Sequence, residues 1–526
     1  MTKINAIDKM LSVASQMERK DVHQVASLGF KSIVCNRPDR EGDNQPDHAE
    51  LKAEAERLGL EFVYQPVSPT DLSDEDALAF GANLQRLPGP VLAYCRTGNR
   101  CSKLWDRFRS LQSASLASSY ADIVIVGGGA AGIAVASSIR ARNSTASITL
   151  VEPAEVHYYQ PGWTLVGAGV FRPTDTVRAT QTLIPPNVHW LRKSVVEFLP
   201  LTNQVVLNDN SLLNYKQLVV CPGLKLNWAG IAGLEDALGE HGVTSNYRFD
   251  LAPYTFDLVR KMKAGKAVFT QPAMPIKCAG APQKAMYLSS DYWRRAGVKS
   301  DIDVVFHNAG GVLFGVPEYV PALMEYIGKY NIDLNFASNL VEVDGPKQTA
   351  VFKSMVPDSG GTLTEVPFDL LHVVPPQIAP DFVRNSPLAD AAGWVDVDQY
   401  TLRHKQHSNV FALGDVCNAP NAKTAAAARK QAPVVANNVL QALGLWDGVA
   451  RYDGYGSCPL TVELGKIVLA EFTYGGKLAP SFPNWLIDGT KPSRLAWILK
   501  EKILPPLYWN GMLKGHEWLA KPLMVE

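Results

Sequence analysis

Short runs of consecutive apolar residues recur along the chain, separated by longer segments in which apolar residues fall at helical spacing. A continuous apolar run is typical of a strand that is buried on both faces of a parallel sheet. The alternation of such runs with helical segments predicts an α/β protein. The predicted strands span residues 31–36, 61–67, 90–94, 123–126, 148–151, 216–223 and 409–413. The predicted helices span residues 49–58, 71–87, 102–109, 133–140 and 424–431.

A glycine-rich turn joins the strand at 123–126 to the helix that follows it. Gly127, Gly129 and Gly132 fall on the G-x-G-x-x-G spacing. In that motif the first glycine permits a sharp turn, the second lets the backbone approach a pyrophosphate, and the third lets the helix pack on the strand. Glu152 ends the next strand, where a ribose hydroxyl needs an acceptor. This order of elements predicts a dinucleotide-binding domain.

The middle of the chain lacks the second glycine fingerprint of an NAD(P)H-dependent flavoprotein. The strand beginning at Asp303 leads to Gly310 and Gly311 without the G-x-G-x-x-G spacing. We therefore expect the first site to bind FAD and the middle domain to lack a nicotinamide site. Asp415 follows a short apolar strand, where flavin folds place an aspartate on the ribityl chain, and the Ala-rich helix after it can point its N-terminus at the flavin.

These elements predict four regions. Residues 1–110 form a separate α/β domain, and residues 111–119, rich in Ser and Ala, form a linker. Residues 120–445 form the FAD-binding oxidoreductase, with two tandem Rossmann-like domains, the second inserted at about 240–370. Residues 446–526 form a C-terminal region with amphipathic helices. A chain of 526 residues is too long for one hydrophobic core.

Composition narrows the classes of function. Lys and Arg together number 51, as do Asp and Glu, so the net charge is zero and nucleic acid is not an expected partner. The first residues contain no apolar region of a signal peptide, and no apolar run has the length of a membrane-spanning helix. Seven cysteines, an odd number, favour thiol chemistry over a disulfide framework. We predict no metal site.

Cys95 ends a predicted strand and opens a tight loop that leads into a helix. Loop N–H groups and the helix dipole would hold an anion there and lower the pKa of the thiol, and Arg100 can add a charge-assisted hydrogen bond. The loop resembles those of cysteine phosphatases and rhodaneses. Its Cys-x4-Arg spacing is shorter than the phosphatase Cys-x5-Arg, because position 101 is Cys. Sulfur transfer, phosphatase activity and a vestigial structural role therefore remain as alternatives, and Cys101 either pairs with Cys95 or is an inert helix residue.

Two segments carry a resemblance to a known family. Residues 274–284, MPIKCAGAPQK, and 414–427, GDVCNAPNAKTAAA, resemble the mitochondrial-type branch of the sulfide:quinone oxidoreductases, and the match extends over roughly 120–526. The resemblance implies a pair of redox cysteines, Cys278 and Cys417, beside the flavin. The family commonly places its second cysteine directly after Gly-Asp, whereas Val416 stands there in this chain. Cys458 and Cys221 are the alternative partners for Cys278.

The resemblance also implies the substrates and the flavin contacts. Sulfide would be oxidised to a persulfide, the outer sulfur would pass to a small thiol, sulfite, cyanide or more sulfide, and a quinone would take the electrons. Lys423 is expected near the flavin or the quinone. The implied FAD contacts are Ala130, Ala131, Glu152, Gln160, Val195, Val373, Asp381 and Asp415.

The C-terminal stretch 494–512 combines apolar residues at helical spacing with interspersed lysines. Trp497, Tyr508 and Trp509 are aromatic residues of the kind found at membrane surfaces. We expect a helix lying on a membrane, from which a lipid quinone could enter, and a peripheral location on the cytoplasmic side. The alternative is an amphipathic helix packed on its own domain.

Two other functions compete with sulfide oxidation. One is a type-II NADH:quinone oxidoreductase with a phosphatase-like N-terminal domain, which the missing second fingerprint and Cys278 disfavour. The other is a non-catalytic sulfide or redox sensor in which FAD is structural.

Overall fold

The computed structural model describes residues 3–69, 72–116 and 120–525. Contacts between Cα atoms divide the chain into two units, Met1–Tyr120 and Ala121–Glu526.

The first unit is a five-stranded sheet with helices. The strand order is β1-β2-β5-β3-β4, in which β1 is antiparallel to β2 and the other neighbours are parallel. The strands are β1 (Ile4–Ala6), β2 (Leu11–Ala14), β3 (Ser32–Cys35), β4 (Glu61–Tyr64) and β5 (Val91–Tyr94). The helices are α1 (Arg19–Ser27), α2 (His48–Arg57), α3 (Asp74–Arg86) and α4 (Asn99–Leu116).

Local sequence signals explain the ends of these elements. Ser73 caps α3 by accepting from the backbone N–H of Asp76, whose side chain bonds back, as a capping box requires. The predicted helix began at residue 71, which lies outside the described residues. The predicted linker also differs, because α4 continues to Leu116. Ser and Ala are both compatible with a helix, so the low apolar periodicity of this stretch did not mark the end of α4. Residues 117–119 lie outside the described residues.

The second unit contains the remaining elements. Its strands are β6 (Tyr120–Val126), β7 (Ile148–Val151), β8 (Val156–Tyr158), β9 (Val177–Ala179), β10 (Val188–Leu191), β11 (Val195–Leu199), β12 (Gln204–Leu207), β13 (Leu212–Val220), β14 (Lys225–Leu226), β15 (Val243–Thr244), β16 (Gly265–Gln271), β17 (Ile302–Asn308), β18 (Ile332–Phe336), β19 (Ser338–Asp344), β20 (Thr349–Ser354), β21 (Leu363–Pro367), β22 (Leu370–His372), β23 (Gln377–Ile378), β24 (Val410–Ala412), β25 (Val449–Arg451), β26 (Gly456–Glu463), β27 (Lys466–Phe472) and β28 (Leu523–Val525). Its helices are α5 (Ala130–Arg142), α6 (Trp163–Val166), α7 (Leu234–Ala237), α8 (Leu251–Lys261), α9 (Ala281–Arg295), α10 (Val320–Lys329), α11 (Asp381–Arg384), α12 (Ala425–Ala442), α13 (Arg494–Ile498) and α14 (Leu504–Pro506).

Two sheets organise this unit. The first has seven strands in the order β10-β7-β6-β13-β12-β11, with β24 pairing in parallel with β13. The second has five parallel strands in the order β15-β22-β16-β17-β18. Parallel strands present their carboxyl ends at one edge of a sheet, which is where α/β folds bind ligands. The predicted fold class, an α/β chain with two Rossmann-like sheets behind an α/β domain, is confirmed.

Two further pieces complete the site. The antiparallel hairpin β26–β27 packs on α9, and residues 494–514 form a nearly continuous helical stretch, hereafter the C-terminal helical segment. Wide π turns occur in it at Leu499–Ile503 and Leu507–Gly511. Such turns are frequent at functional sites. Within the described part of the chain, no helix is both long enough and apolar enough to span a membrane.

Candidate active site

A cavity of about 690 Å³ opens in the second unit, a volume ordinary for a cofactor or ligand site. Its wall combines the glycine turn after β6, the loop before α9, the N-terminus of α12 and the C-terminal helical segment. Of the residues predicted from the sequence, the wall contains Gly129, Ala130, Ala131, Glu152, Gln160, Cys278, Asp415 and Lys423.

The glycine turn has the shape of a pyrophosphate cradle. Gly127 has φ +104°, and a Cβ there would lie 2.6 Å from the carbonyl oxygen of Cys221. A Cβ on Gly132 would lie 1.8 Å from the carbonyl oxygen of Gly127, so only glycine lets α5 pack this closely. At Gly129, the residue before α5, a Cβ would meet no atom within 4 Å. The N–H groups at the start of α5 therefore face open space in the cavity wall.

Glu152 lies beside this cradle, as predicted. Its carboxylate accepts from the backbone N–H of Gly128 at 2.6 Å and of Ala154 at 2.7 Å. The side chain is thus fixed with acceptor capacity left for a hydroxyl.

Several buried polar atoms in the cavity wall have no partner among the described residues. They are the hydroxyl of Thr164, the indole N–H of Trp163 and both side-chain polar atoms of Asn246. Such atoms are costly unless a ligand or water satisfies them. The open cradle, the ribose acceptor and these polar atoms fit a bound dinucleotide.

The second predicted flavin element also reaches the cavity. Asp415 follows β24, and burial raises the pKa of its carboxyl. The ammonium of Lys423 donates to the backbone carbonyls of Asp415 at 2.7 Å and Cys417 at 2.8 Å, and it lies 4.0 Å from the centre of the Trp394 ring. Lys423 therefore holds the loop after β24 in place, in addition to lining the cavity.

Three predicted FAD contacts do not lie in the described cavity wall. Val195 and Val373 are buried in two hydrophobic cores, and Asp381 is exposed and pairs with Lys225 at 2.5 Å. These side chains pack or pair within the protein, so the structure gives them no direct place at the cavity.

The loop before α9 brings Cys278 into the cavity wall. The backbone of Cys278 has φ +52°, a conformation that side chains rarely adopt and that is concentrated at functional sites. Its N–H donates to the carbonyl of Lys423 at 2.9 Å, and the Tyr247 hydroxyl donates to the carbonyl of Lys277 at 3.0 Å. These bonds join the middle sheet to the loop after β24 and fix the position of the sulfur.

The sulfur of Cys278 has two close partners. Cys458 Sγ on β26 lies 3.3 Å away, and Lys284 Nζ in α9 donates to Cys278 Sγ at 3.1 Å. The hydrogen bond from Cys458 and the charge of Lys284 hold the pKa of the Cys278 thiol well below its usual range. The same hydrogen bond raises the pKa of Cys458. Cys278 is therefore the thiolate of this pair.

The predicted partner Cys417 lies in a different environment. It is buried after Val416, and its thiol donates to the carbonyl of Gly414 at 3.3 Å. Burial raises the pKa of this thiol. The third candidate, Cys221, contacts the carbonyl of Gly127 at 3.5 Å, and burial raises its pKa as well. The structure thus brings Cys278 together with Cys458, one of the alternatives that the sequence left open.

Two more lysines enter the cavity wall. Burial, together with the nearby Lys284 ammonium, lowers the pKa of Lys500 in the C-terminal helical segment to about 7. Burial lowers the pKa of Lys277 to about 8, and its ammonium donates to Gln160 Oε1 at 2.6 Å. Sequence reasoning missed Lys284 and Lys500 as site residues. The K at the end of MPIKCAGAPQK was the signal for Lys284, because it lies six residues after Cys278 on the first turns of a helix.

The aromatic residues of the C-terminal helical segment point inward, contrary to the membrane-facing role predicted for them. Trp497, Tyr508 and Trp509 are all buried. The Tyr508 hydroxyl bonds to the ring of His157 at 2.6 Å, and Trp497 donates to Glu501 at 2.7 Å. The polar atoms of Tyr508 and Trp497 thus have hydrogen-bond partners inside the protein. Of the two alternatives for this segment, the structure shows the aromatic residues packed on the chain's own domain.

The first unit contains the predicted Cys95 loop. Cys95 is buried after β5, and a hydrogen bond from Cys101, joined by N–H groups of the loop, lowers its pKa to about 5. Arg100 is buried and donates to the carbonyl of Asn36 at 2.8 Å and to the Glu41 carboxylate at 2.5 Å. The guanidinium is therefore already paired with protein acceptors.

Comparison with known proteins supports this description. Residues 121–432 match the family described as pyridine nucleotide-disulphide oxidoreductase, and residues 3–112 match the phosphatase-like domain of beta-lactamase hydrolase-like protein. The beta-lactamase hydrolase-like protein of Agrobacterium fabrum is 33% identical over 99 residues, 19% of this chain and 23% of that protein.

The longer matches extend over most of the chain. The mitochondrial sulfide:quinone oxidoreductase of Dictyostelium discoideum is 40% identical over 449 residues, 85% of this chain and 95% of that protein. The crystal structure of the sulfide:quinone oxidoreductase from Aquifex aeolicus shares the fold with a TM-score of 0.62 at 18% identity, over 75% of this chain and 92% of that one.

These matches confirm the predicted family and disfavour the NADH:quinone alternative. The compartment in the Dictyostelium name differs from the cytoplasmic side predicted here, which stays a prediction. The chain is a flavin-dependent enzyme with a phosphatase-like domain ahead of the oxidoreductase, and it belongs to the sulfide:quinone oxidoreductase family.

Proposed function

We propose that this protein uses FAD to oxidise sulfide to a cysteine persulfide and passes the two electrons to a quinone. One observation carries the proposal: Cys278, with a lysine at 3.1 Å, lies in the wall of the same cavity as the dinucleotide cradle. A reactive thiolate and a flavin site in one cavity suit two-electron sulfur chemistry.

The residues that would hold FAD follow from the cavity wall. The N-terminus of α5 and Gly129 would take the pyrophosphate, Glu152 the ribose and Asp415 the ribityl chain. Bound FAD would accept two electrons from the cysteines and deliver them to the quinone.

The low pKa of Cys278 decides which way a disulfide opens. Hydrosulfide attacks a disulfide between Cys278 and a second cysteine, and the S–S bond breaks. The sulfur with the lower pKa leaves more readily, so Cys278 leaves as thiolate and the second cysteine carries the persulfide. Lys284 neutralises the new charge.

The lysines of the wall favour an anionic sulfur acceptor. Lys277, Lys284 and Lys500 place three ammonium groups in one cavity. Below pH 7 Lys500 is mainly charged, and above that pH it becomes neutral. Sulfite, or the thiolate of a small thiol, is the acceptor that this charge suits.

Apolar residues at the cavity suit a membrane quinone. Ile503, Trp518 and Leu519 line the cavity and are more than half exposed, at 51, 60 and 72%. Leu495 and Ile498 of the C-terminal helical segment are exposed too. We expect this apolar surface to rest on the face of a membrane, on the cytoplasmic side as predicted from the sequence, and to admit the quinone.

The Cys95 site favours sulfur transfer as a second activity. A phosphate held by Nη2 of Arg100 would have to displace the Glu41 carboxylate, which leaves the Nε, unpartnered among the described residues, for an anion, whereas a persulfide sulfur on Cys95 needs only the loop N–H groups. We infer that Cys95 accepts and donates sulfane sulfur.

The first test follows the flavin spectrum during sulfide and quinone addition without oxygen. Sulfide should bleach the flavin band, a short-chain quinone should restore it, and Cys278→Ser should lose both changes because the disulfide that hydrosulfide attacks cannot form. Cys35→Ser, in the other unit, is the matched control. Bleaching by NADH but not by sulfide would contradict the proposal.

The role of Lys284 predicts a change in the acidity of Cys278. Lys284→Met removes the ammonium and should raise the pKa of the thiol, so that alkylation of the reduced protein at pH 6.5 slows about tenfold for each pKa unit. The rate is measured by mass spectrometry of the Cys278 peptide with iodoacetamide. The control is Lys347→Met, which changes an exposed lysine in the turn between β19 and β20 and should leave the alkylation rate unchanged. An equal rate in both variants would remove Lys284 from the mechanism.

Membrane contact is tested by co-sedimentation with phospholipid vesicles. Trp518→Ser with Leu519→Ser should reduce the bound fraction, because both exposed apolar groups are lost. Leu201→Ser, in the exposed turn between β11 and β12, is the control that removes one exposed apolar side chain elsewhere on the second unit. The same loss in the control, or none in the double variant, would place the membrane contact elsewhere.

Sulfur transfer at Cys95 is measured as thiocyanate formed from thiosulfate and cyanide, in a Cys278→Ser background that silences the flavin site. Adding Cys95→Ser should abolish the product, since the carrier thiol is gone. Cys95-dependent hydrolysis of p-nitrophenyl phosphate without thiocyanate formation would instead identify a phosphatase.

A further inference from the structure

Cys458 lies opposite Cys278 on a separate part of the chain. The two sulfurs are 3.3 Å apart although 180 residues separate them in sequence. We propose that Cys458 is the second redox cysteine of this enzyme and takes the place of Cys417; the assignment rests on the proposed sulfide oxidation.

The surroundings of Cys458 make room for this contact. A Cβ on Gly280 would lie 2.5 Å from Cys458 Sγ and 2.2 Å from Leu460 Cδ2. The glycine two residues after Cys278 therefore lets the hairpin β26–β27 approach the loop before α9. A disulfide needs its sulfurs about 2.05 Å apart, and a single bridging sulfur atom holds its two neighbours roughly 3.3 Å apart. The observed separation of 3.3 Å matches the sulfur-bridged state, and a direct disulfide would require the two sulfurs to approach by about 1.2 Å.

Both sulfurs share one counter-charge. The Lys284 ammonium hydrogen-bonds to Cys278 and to Cys458, and the two sulfurs in turn raise the pKa of Lys284, against the lowering by burial. Whichever sulfur carries the charge, the same ammonium lies beside it. A buried thiolate without such a partner would be costly.

Cys417 has no comparable arrangement. Its thiol donates to the carbonyl of Gly414, and the nearby Lys423 ammonium is engaged by two backbone carbonyls. Val416 occupies the position that directly follows Gly414 and Asp415. Cys417 is thus a buried packing residue, the usual state of a free thiol.

Cys458 lies one side chain behind the cavity wall. It is 2% exposed, but its chain neighbours Ser457 and Pro459 line the cavity together with Cys278. A hydrosulfide that reaches Cys278 therefore arrives next to Cys458.

The chemistry balances on this pair. Hydrosulfide attacks Cys458 Sγ of the disulfide; a new S–S bond forms, the Cys278–Cys458 bond breaks, and Cys278 leaves as thiolate. Sulfite then takes the outer sulfur of the Cys458 persulfide and becomes thiosulfate, with release of one proton and the Cys458 thiolate. The two thiolates re-form their bond as two electrons leave for the quinone, which takes up two protons.

The linkage is read directly in the oxidised holoenzyme. Quinone-treated protein is alkylated under denaturing conditions, digested without reductant and analysed by mass spectrometry. We expect the Cys278 peptide joined to the Cys458 peptide, directly or through one extra sulfur. A Cys278–Cys417 link, or alkylation of both Cys278 and Cys458, overturns the proposal.

Activity of serine variants gives the second readout. Cys458→Ser should lower sulfide-dependent quinone reduction about 100-fold with flavin content unchanged, whereas Cys417→Ser should stay within about threefold of the unaltered enzyme. The reverse pattern overturns the assignment while sulfide oxidation stands. If the unaltered enzyme fails to reduce quinone with sulfide, the proposed function is refuted. The mass-spectrometric linkage still decides whether Cys278 and Cys458 form the pair.

Discussion

The contact between the Lys284 ammonium and the Cys278 sulfur is the constraint on which the catalytic centre depends. Lys284 is buried at 3% exposure, whereas Cys278 is partly exposed in the cavity wall, and each charge stabilises the other there. Lysine at this position sits in α9, so the helix must begin just after Cys278. That requirement fixes the tight loop, its positive φ at Cys278 and the glycine at 280.

A backbone hydrogen bond of Cys278 also links the two sheets of the second unit. The loop that bears Cys278 leaves the middle sheet, yet its N–H bonds to Lys423, which follows β24 of the first sheet. Lys423 in turn holds the carbonyls around Asp415. Cys278 and Asp415 are therefore joined by one continuous set of hydrogen bonds, and a shift of either sheet would move both.

Sequence reasoning succeeded where the signal is local. The order of glycines, helix and Glu152 specifies the cradle within some 30 residues. Ser73 marks the start of α3 because its own side chain caps the helix. Sequence reasoning named Cys458 only as one of the alternative partners of Cys278, because the two cysteines lie 180 residues apart and nothing in SCPL distinguishes a redox thiol from a packed one. The sequence also could not show that Val195 and Val373 belong to hydrophobic cores. In a sheet covered on both faces, apolar residues occur on either face, so the sequence pattern does not distinguish a core position from a position at the cavity. The strands β1 and β2 and helix α1 were missed for lack of a strong periodic pattern.

Burial of the aromatic residues in the C-terminal helical segment fixes the position of this segment at the cavity. Tyr508 and Trp509 anchor the segment from within, through His157 and the guanidinium of Arg178 that lies 5.0 Å from the Trp509 ring. Once anchored, the wide turn at Leu499–Ile503 directs Lys500 into the protein while Ile503 stays half exposed. One turn of backbone thus contributes an ammonium toward the sulfur chemistry and an apolar group toward the quinone. In a regular helix, positions three apart share one face, so the widened turn is a means by which Lys500 and Ile503 can meet such unlike surroundings.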